Sequence, residues 1–249
     1  MPGRAFGKLA TIVLCLDLIS LAGSFSRHGF AWGAFAGANG GSLHMEAERD
    51  GARHRLYVKL WGEVSSGDDH RFQDLIKPYL ATGDSLYRVT ISSVGGDADA
   101  AMGIGRQIRT LDGRVRAPIR LHPNEKAHCL FKSGRDENPV PTADSELNDP
   151  DGYACMCVSA CSLIWAAGVR REGNAIGIHR FRLTRESELR ANPELLRAVT
   201  EQGERQFRGY LAEMGMPPFF IEKTLSTPAA TVYQLTLEEA ERETANWRR

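Results

Sequence analysis

Cys157-Val158-Ser159-Ala160-Cys161-Ser162-Leu163-Ile164-Trp165-Ala166-Ala167-Gly168, followed by Ile176-Gly177-Ile178-His179-Arg180, is the stretch on which the reading of this chain turns. Ala154 to Val158 is a short β-prone run, and Ala160 to Ala167 is an apolar run of helical character. Ser159 stands at their junction, where a strand-to-helix corner lifts a hydroxyl to the lip of a sheet. Ile176 to Ile178 is a second β-like run, and His179 ends it. A candidate nucleophile and a candidate base thus lie about twenty residues apart, both at element ends, where α/β proteins collect their chemistry.

Upstream the same grammar repeats. Arg55 to Trp61 alternates and is β-prone; Gly62-Glu63-Val64 and a polar turn then lead into a helix expected over His70 to Leu80. Ser85 to Ser92 is another strand, with Tyr87, Val89 and Ile91 on one face, followed by Gly95-Gly96 and a helix expected over Ala98 to Leu111. Strands alternating with helices at this spacing favour a parallel sheet with right-handed crossovers. Val115 to Leu121 reads as one more strand. Residues from about 122 to 153 are rich in Pro, Asp and Asn, lack periodicity and read as an insertion. It is either a lid or rim over a site or a disulfide-pinned surface decoration. Downstream, Asn192-Pro193-Glu194 starts a helix that stops at Gly215, Pro217-Pro218 opens a short one, and Thr236 to Thr244 reads as a capped surface helix.

With 249 residues the chain can bury one good core, placed here at 55–244. A formal net charge of zero removes the electrostatic argument for nucleic acid or an anionic membrane as the main partner. Arg4 and Lys8 precede an apolar stretch, Leu9 to Gly23, interrupted by Asp17, and Ala34-Phe35-Ala36 offers a small-x-small cleavage site. Residues 1–36 therefore read as a signal peptide and 37–54 as a linker, which makes the protein exported, to a bacterial periplasm. Cleavage after Gly23 is the alternative site. A retained inner-membrane anchor is the alternative fate, and membrane contact is expected only through that uncleaved segment.

Cleavage removes Cys15 and leaves Cys129, Cys155, Cys157 and Cys161, an even set that suits disulfides in an exported chain. Of the three pairings, Cys129 with Cys155 staples the base of the insertion and leaves Cys157 and Cys161 to flank Ser159; spacing alone does not choose. Cys-x-Cys-x3-Cys is not a usual zinc spacing, and no metal is expected. Arg170, Arg171, Arg180 and Arg182 cluster in sequence around the candidate site and offer guanidinium groups for a carboxylate.

The run Ser92-Ser93-Val94-Gly95-Gly96-Asp97, then Ser159 with Ala166-Ala167-Gly168 ending its helix, then Ile176-Gly177-Ile178-His179, resembles in order and spacing the Clp-type serine peptidases of the Clp/crotonase superfamily. The resemblance implies an α/β fold, a spiral of ββα units with a mainly parallel sheet, here carrying a long inserted loop and C-terminal helices. It implies Ser159 as nucleophile, His179 as base, and Gly95, Gly96 and Ala160 as the oxyanion hole. Backbone amides at a glycine turn and a helix start suit that last role on physical grounds alone. The family's third residue is an aspartate in a late helix, and aligning Phe220 to Thr224 with that helix puts Thr224 in its place. Glu222 is near, but two residues along a helix turn a side chain by about 200°. The third member is thus open: a Ser-His dyad, an acid from Asp97 or the insertion, or none.

The expected function is an exported serine hydrolase cleaving peptides, without cofactor. The alternative is a catalytically silent scaffold or a module that binds a peptide or protein partner. Acyl-thioester chemistry, known among the crotonases, is disfavoured by export. Homo-oligomers are common in the superfamily, and no subunit number follows from this chain. Two plainer readings compete: Ser159 as an ordinary helix cap and His179 as a hydrogen-bonded rim residue.

Overall fold

Leu56, Val58 and Leu60 alternate with Tyr57, Lys59 and Trp61, and this period of two makes Arg55–Val64 a strand, β2, with its aliphatic side fully buried. The computed structural model describes residues 42–132, 135–136, 146–183 and 189–245. β2 runs antiparallel to β1, His44–Asp50, and parallel to β3, Ser85–Gly96. β1 occupies residues read from sequence as linker. Met45 and Ala47 pack on the core between His44, Glu46 and Glu48, and this charged edge composition is what hid the strand. Helices α1, Asp68–Ala81, and α2, Ala98–Thr110, follow β2 and β3. Asp97 starts α2 by accepting the Ala100 amide at 2.8 Å, and Ala98, Ala101, Met102, Gly105 and Ile108 form its buried stripe.

β3 is the branch point of the sheet. Arg88 to Thr90 pairs in parallel with β4, Arg114–Arg116, which pairs with β6, Arg171–Glu172. Further along, Ser93 hands over to β5, Cys157–Val158; β5 pairs in parallel with β7, Ile176–Ile178, and β7 antiparallel with β8, Tyr233–Gln234. Among the described residues the sheet has eight strands, and only the β1 and β8 pairings are antiparallel. This is the mainly parallel α/β arrangement expected of a Clp/crotonase-like chain. Helix α3, Ala160–Ala166, follows β5, and α4, Pro193–Glu213, α5, Pro218–Ser226, and α6, Leu237–Ala245, complete the chain.

Two strands are shorter than the sequence suggests. β4 ends at Arg116 rather than Leu121: Pro118 has no amide for a ladder, and Ile119 bridges instead to His128. The run from Ala154 is strand only at Cys157–Val158, because Ala154 bridges back to Asn148 and the Cys155 amide bonds the Leu147 carbonyl.

The described residues of the insertion pack on the sheet. Opposite the helices, the sheet presents Trp61, on which Ala127, Cys129, Phe131, Cys155 and Ala175 form a second buried apolar cluster. Buried Arg88 and Arg116 reach from the sheet to the Asp136 carbonyl at 2.8 and 2.7 Å, and Arg116 also bonds Glu172 at 2.7 Å. A Cys129–Cys155 disulfide ties the ends of the insertion. No helix among the described residues is long and apolar enough to cross a membrane. The segment 1–36 with its cleavage sites, Cys15, and Gly37 to Gly41 lie outside the described residues.

Candidate active site

Ser159 follows β5 and opens α3. Its amide donates to the Gly177 carbonyl of β7 at 3.0 Å, which ties it to the neighbouring strand. Its backbone then turns at φ 59°, ψ −125°. Such conformations cost a non-glycine residue of order 1–3 kcal/mol and persist only where the surroundings enforce them. The helix-cap reading fails, because the Ser159 side chain makes no capping hydrogen bond. Ser162 instead donates its hydroxyl back to the Ser159 carbonyl at 2.6 Å. A Cys157–Cys161 disulfide spans the corner, and both cysteines are fully buried. With all four described cysteines in disulfides, none is a thiolate for zinc.

The two glycines at the end of β3 are required for different reasons. A Cβ on Gly95 would lie 2.5 Å from the Ser159 Cβ and 3.0 Å from its Oγ; one on Gly96 would lie 2.0 Å from the Val64 carbonyl oxygen. Both glycines have positive φ, 107° and 131°. Gly95 therefore makes room for the serine, and Gly96 for strand β2. Their amides also differ. The Gly95 amide donates to the Ser93 hydroxyl at 3.1 Å and is engaged. The Asp97 amide bonds the Val64 carbonyl, so the alternation of a parallel ladder turns the Gly96 amide away from β2. The Ala160 amide is the first of α3, a position whose amide has no partner within its own helix.

His179 follows β7. Because β5 and β7 are parallel with Val158 opposite Gly177, Ser159 and His179 leave the carboxyl ends of adjacent strands, next to the end of β3 that carries Gly95 and Gly96. Ligand sites of α/β sheets form at such ends. The imidazole is buried, and its Nδ1 lies 2.7 Å from the Arg180 carbonyl oxygen. A carbonyl only accepts, so Nδ1 carries the proton and Nε2 is the basic nitrogen. Burial pushes the His179 pKa down, the Arg180 carbonyl opposes this and the Arg182 charge adds to it; the result lies below the ordinary histidine value. Burial thus favours the neutral ring.

Among the described residues, Thr224, Glu222 and Asp97 are each committed elsewhere. Thr224 is buried on α5, and its hydroxyl is spent on the Phe220 carbonyl at 2.7 Å. Glu222 is exposed and pairs with Arg208 of α4. Asp97 caps α2. The Arg180 amide does bond the Thr227 carbonyl at 2.9 Å, so the end of α5 sits beside the residue after His179, yet the acceptor facing Nδ1 is a main-chain oxygen. The four arginines do not form one clamp either. Arg170 pairs with Glu172 at 3.4 Å, and Arg171 bonds the Ala166 and Met214 carbonyls at 3.0 and 2.6 Å, at the ends of α3 and α4. Arg180 and Arg182 are exposed.

Sequence reasoning missed Ser93 and the Arg180 carbonyl. A serine two residues before a positive-φ glycine is a recognisable turn signal. A main-chain acceptor has no signal in residue identity.

The sequence matches no protein-family model and no curated protein. Among solved structures 31 chains match. One is the 1510-N membrane-bound stomatin-specific protease, in a serine-to-alanine mutant: TM-score 0.43, 15% identity, covering 75% of this chain and 74% of that chain. A likeness of that degree leaves the chemistry of this chain to its own residues.

Proposed function

We propose that this protein is a serine hydrolase that cleaves peptide bonds with Ser159 as nucleophile and His179 as general base, in an oxidising compartment outside the cytosol. The observation that carries the reading is Ser159 itself: an uncapping serine held at φ 59°, against a glycine whose missing Cβ leaves it room. His179 Nε2 takes the Ser159 proton as Oγ attacks the carbonyl carbon. The Gly96 and Ala160 amides hold the oxyanion, and the imidazolium returns the proton to the leaving amine. Water, deprotonated by His179, then attacks the acyl-serine and releases the acid with Ser159 restored.

The Arg180 carbonyl does part of the missing acid's work. Losing the orienting acid in an established triad costs about 10⁴-fold, largely through the wrong imidazole tautomer. Here the tautomer is right, while a neutral carbonyl stabilises the imidazolium less than a carboxylate does. Slow but serine-dependent turnover is the expected behaviour. The two disulfides support the compartment.

The commitment of Thr224 to Phe220 favours a second reading, a silent scaffold that binds a peptide without cleaving it. A fluorophosphonate probe applied to the purified mature protein decides between them. Wild type should label slowly at Ser159, and Ser159→Ala and His179→Ala should not. Equal labelling of wild type and Ser159→Ala, or none of either, overturns the hydrolase reading.

A further inference from the structure

We propose that the Cys157–Cys161 disulfide is a positioning element of the nucleophile, formed when the chain folds and beyond the reach of reductants afterwards. This inference rests on the hydrolase reading of Ser159. The bond joins the first residue of β5 to the second of α3, and the ring it closes contains only Val158, Ser159 and Ala160 between the two cysteines. Ser159 is therefore the middle residue of a covalent ring whose Cα atoms at Cys157 and Cys161 stand 5.1 Å apart.

The elements on either side are too short to enforce the corner themselves. β5 has 2 residues and is paired to β3 only at Ser93, and α3 has 7, below the length at which helices hold themselves. Ser159 nevertheless adopts a backbone conformation that L-residues avoid, and its hydroxyl lies against the Gly95 position. A cross-link between strand and helix holds that conformation where ladder and helix bonds are few. The other disulfide, Cys129–Cys155, ties the insertion and includes no element of the site.

Both sulfurs sit in the core between the sheet and α3, and Cys157 and Cys161 have no exposed surface. Thiol exchange requires access of a thiolate to the sulfur, so a dithiol in solution does not reach the bond while the fold is intact. Reduction would consume one dithiol, oxidise it to its disulfide and leave two thiols here. Competence is thus set by the redox conditions in which the chain folds, and it is not switched afterwards.

The test compares fluorophosphonate labelling of the full mature protein in three forms: oxidised wild type, wild type incubated natively with excess dithiothreitol, and Cys157→Ala with Cys161→Ala, with Cys157→Ser and Cys161→Ser as a second pair. Natively treated wild type should label as the oxidised protein does. Each double variant, folded at the assay temperature by near-ultraviolet circular dichroism, should show a maximal labelling rate lower by about a hundredfold, the effect of misplacing a reacting group by about 1 Å. Its half-saturating probe concentration and the pH midpoint set by His179 should not move. A folded variant that labels within twofold of wild type overturns the assignment, and so does fast loss of labelling under native dithiol. Failure of both pairs to fold also overturns it, since the bond would then be a folding element. No labelling of oxidised wild type overturns the hydrolase reading instead.

Discussion

Replacing Gly95 with alanine tests whether the end of β3 and the serine corner are built as one object. The added Cβ would stand 2.5 Å from the Ser159 Cβ, 2.9 Å from the Val158 carbonyl oxygen and 3.0 Å from the Ser159 Oγ. Two costs add. An L-residue at φ 107° loses about 1–2 kcal/mol to its own backbone, and forcing a methyl into filled space costs a further ~1–3 kcal/mol. Gly152→Ala separates them: φ there is 86°, and a Cβ would meet nothing within 4 Å. The control should lose only the first amount, and Gly95→Ala should exceed it by about 1–3 kcal/mol. The urea midpoint reads this, provided the slope of the transition is unchanged. Because the collision is with the nucleophile, fluorophosphonate labelling of folded Gly95→Ala should also fall by about a hundredfold, while Gly152→Ala labels normally. Equal midpoint shifts for the two variants, with wild-type labelling in both, would refute the proposed packing of Gly95 on Ser159.

Three further outcomes are expected. The labelling rate of wild type should rise with pH and level off, its midpoint below the ordinary histidine value because burial lowers the His179 pKa; the same group's contribution to fold stability is full above the ordinary histidine value and is lost as pH falls from there through the lowered midpoint. A midpoint above the ordinary value would contradict the buried, neutral ring. Thr224→Val removes the hydroxyl bonded to Phe220 and should cost no more than about 1 kcal/mol, with labelling within twofold of wild type; a large loss would make Thr224 part of the site. Cys129→Ala with Cys155→Ala opens a loop with a sequence separation of 26 and should lower stability by about 3.5 kcal/mol on the chain-entropy account. Below the variant's own melting temperature, the labelling rate should hold.

Much of this is legible in the sequence because the signals are local and repeated. Leu56, Val58 and Leu60 announce a strand by period, the stripe through Met102 and Ile108 announces a helix, and Gly95-Gly96 announces a turn that no other residue fits. β1 is hidden because its alternation rests on only Met45 and Ala47, set among Glu46, Glu48 and Asp50, residue types that strands disfavour. The role of the insertion is hidden because its buried residues Ala127, Cys129 and Phe131 alternate over only five positions among polar and proline-rich neighbours, and the Trp61 and Ala175 they pack with lie far away in the chain.

By itself the sequence determined the alternation of strands and helices, the serine at a strand-to-helix corner, the histidine at a strand end and the glycine pair, since each depends on neighbours along the chain. Only the tertiary structure decided that these three points meet at the carboxyl ends of β3, β5 and β7. It also decided which cysteines join, that the Gly95 amide is engaged by Ser93, and that a main-chain carbonyl at Arg180 faces the imidazole where a carboxylate was sought. The reason is physical: pairing across a parallel sheet joins residues separated by whole elements, and a main-chain donor or acceptor is the same atom in every residue. Such roles are set by where the backbone is carried and leave no mark in side-chain identity.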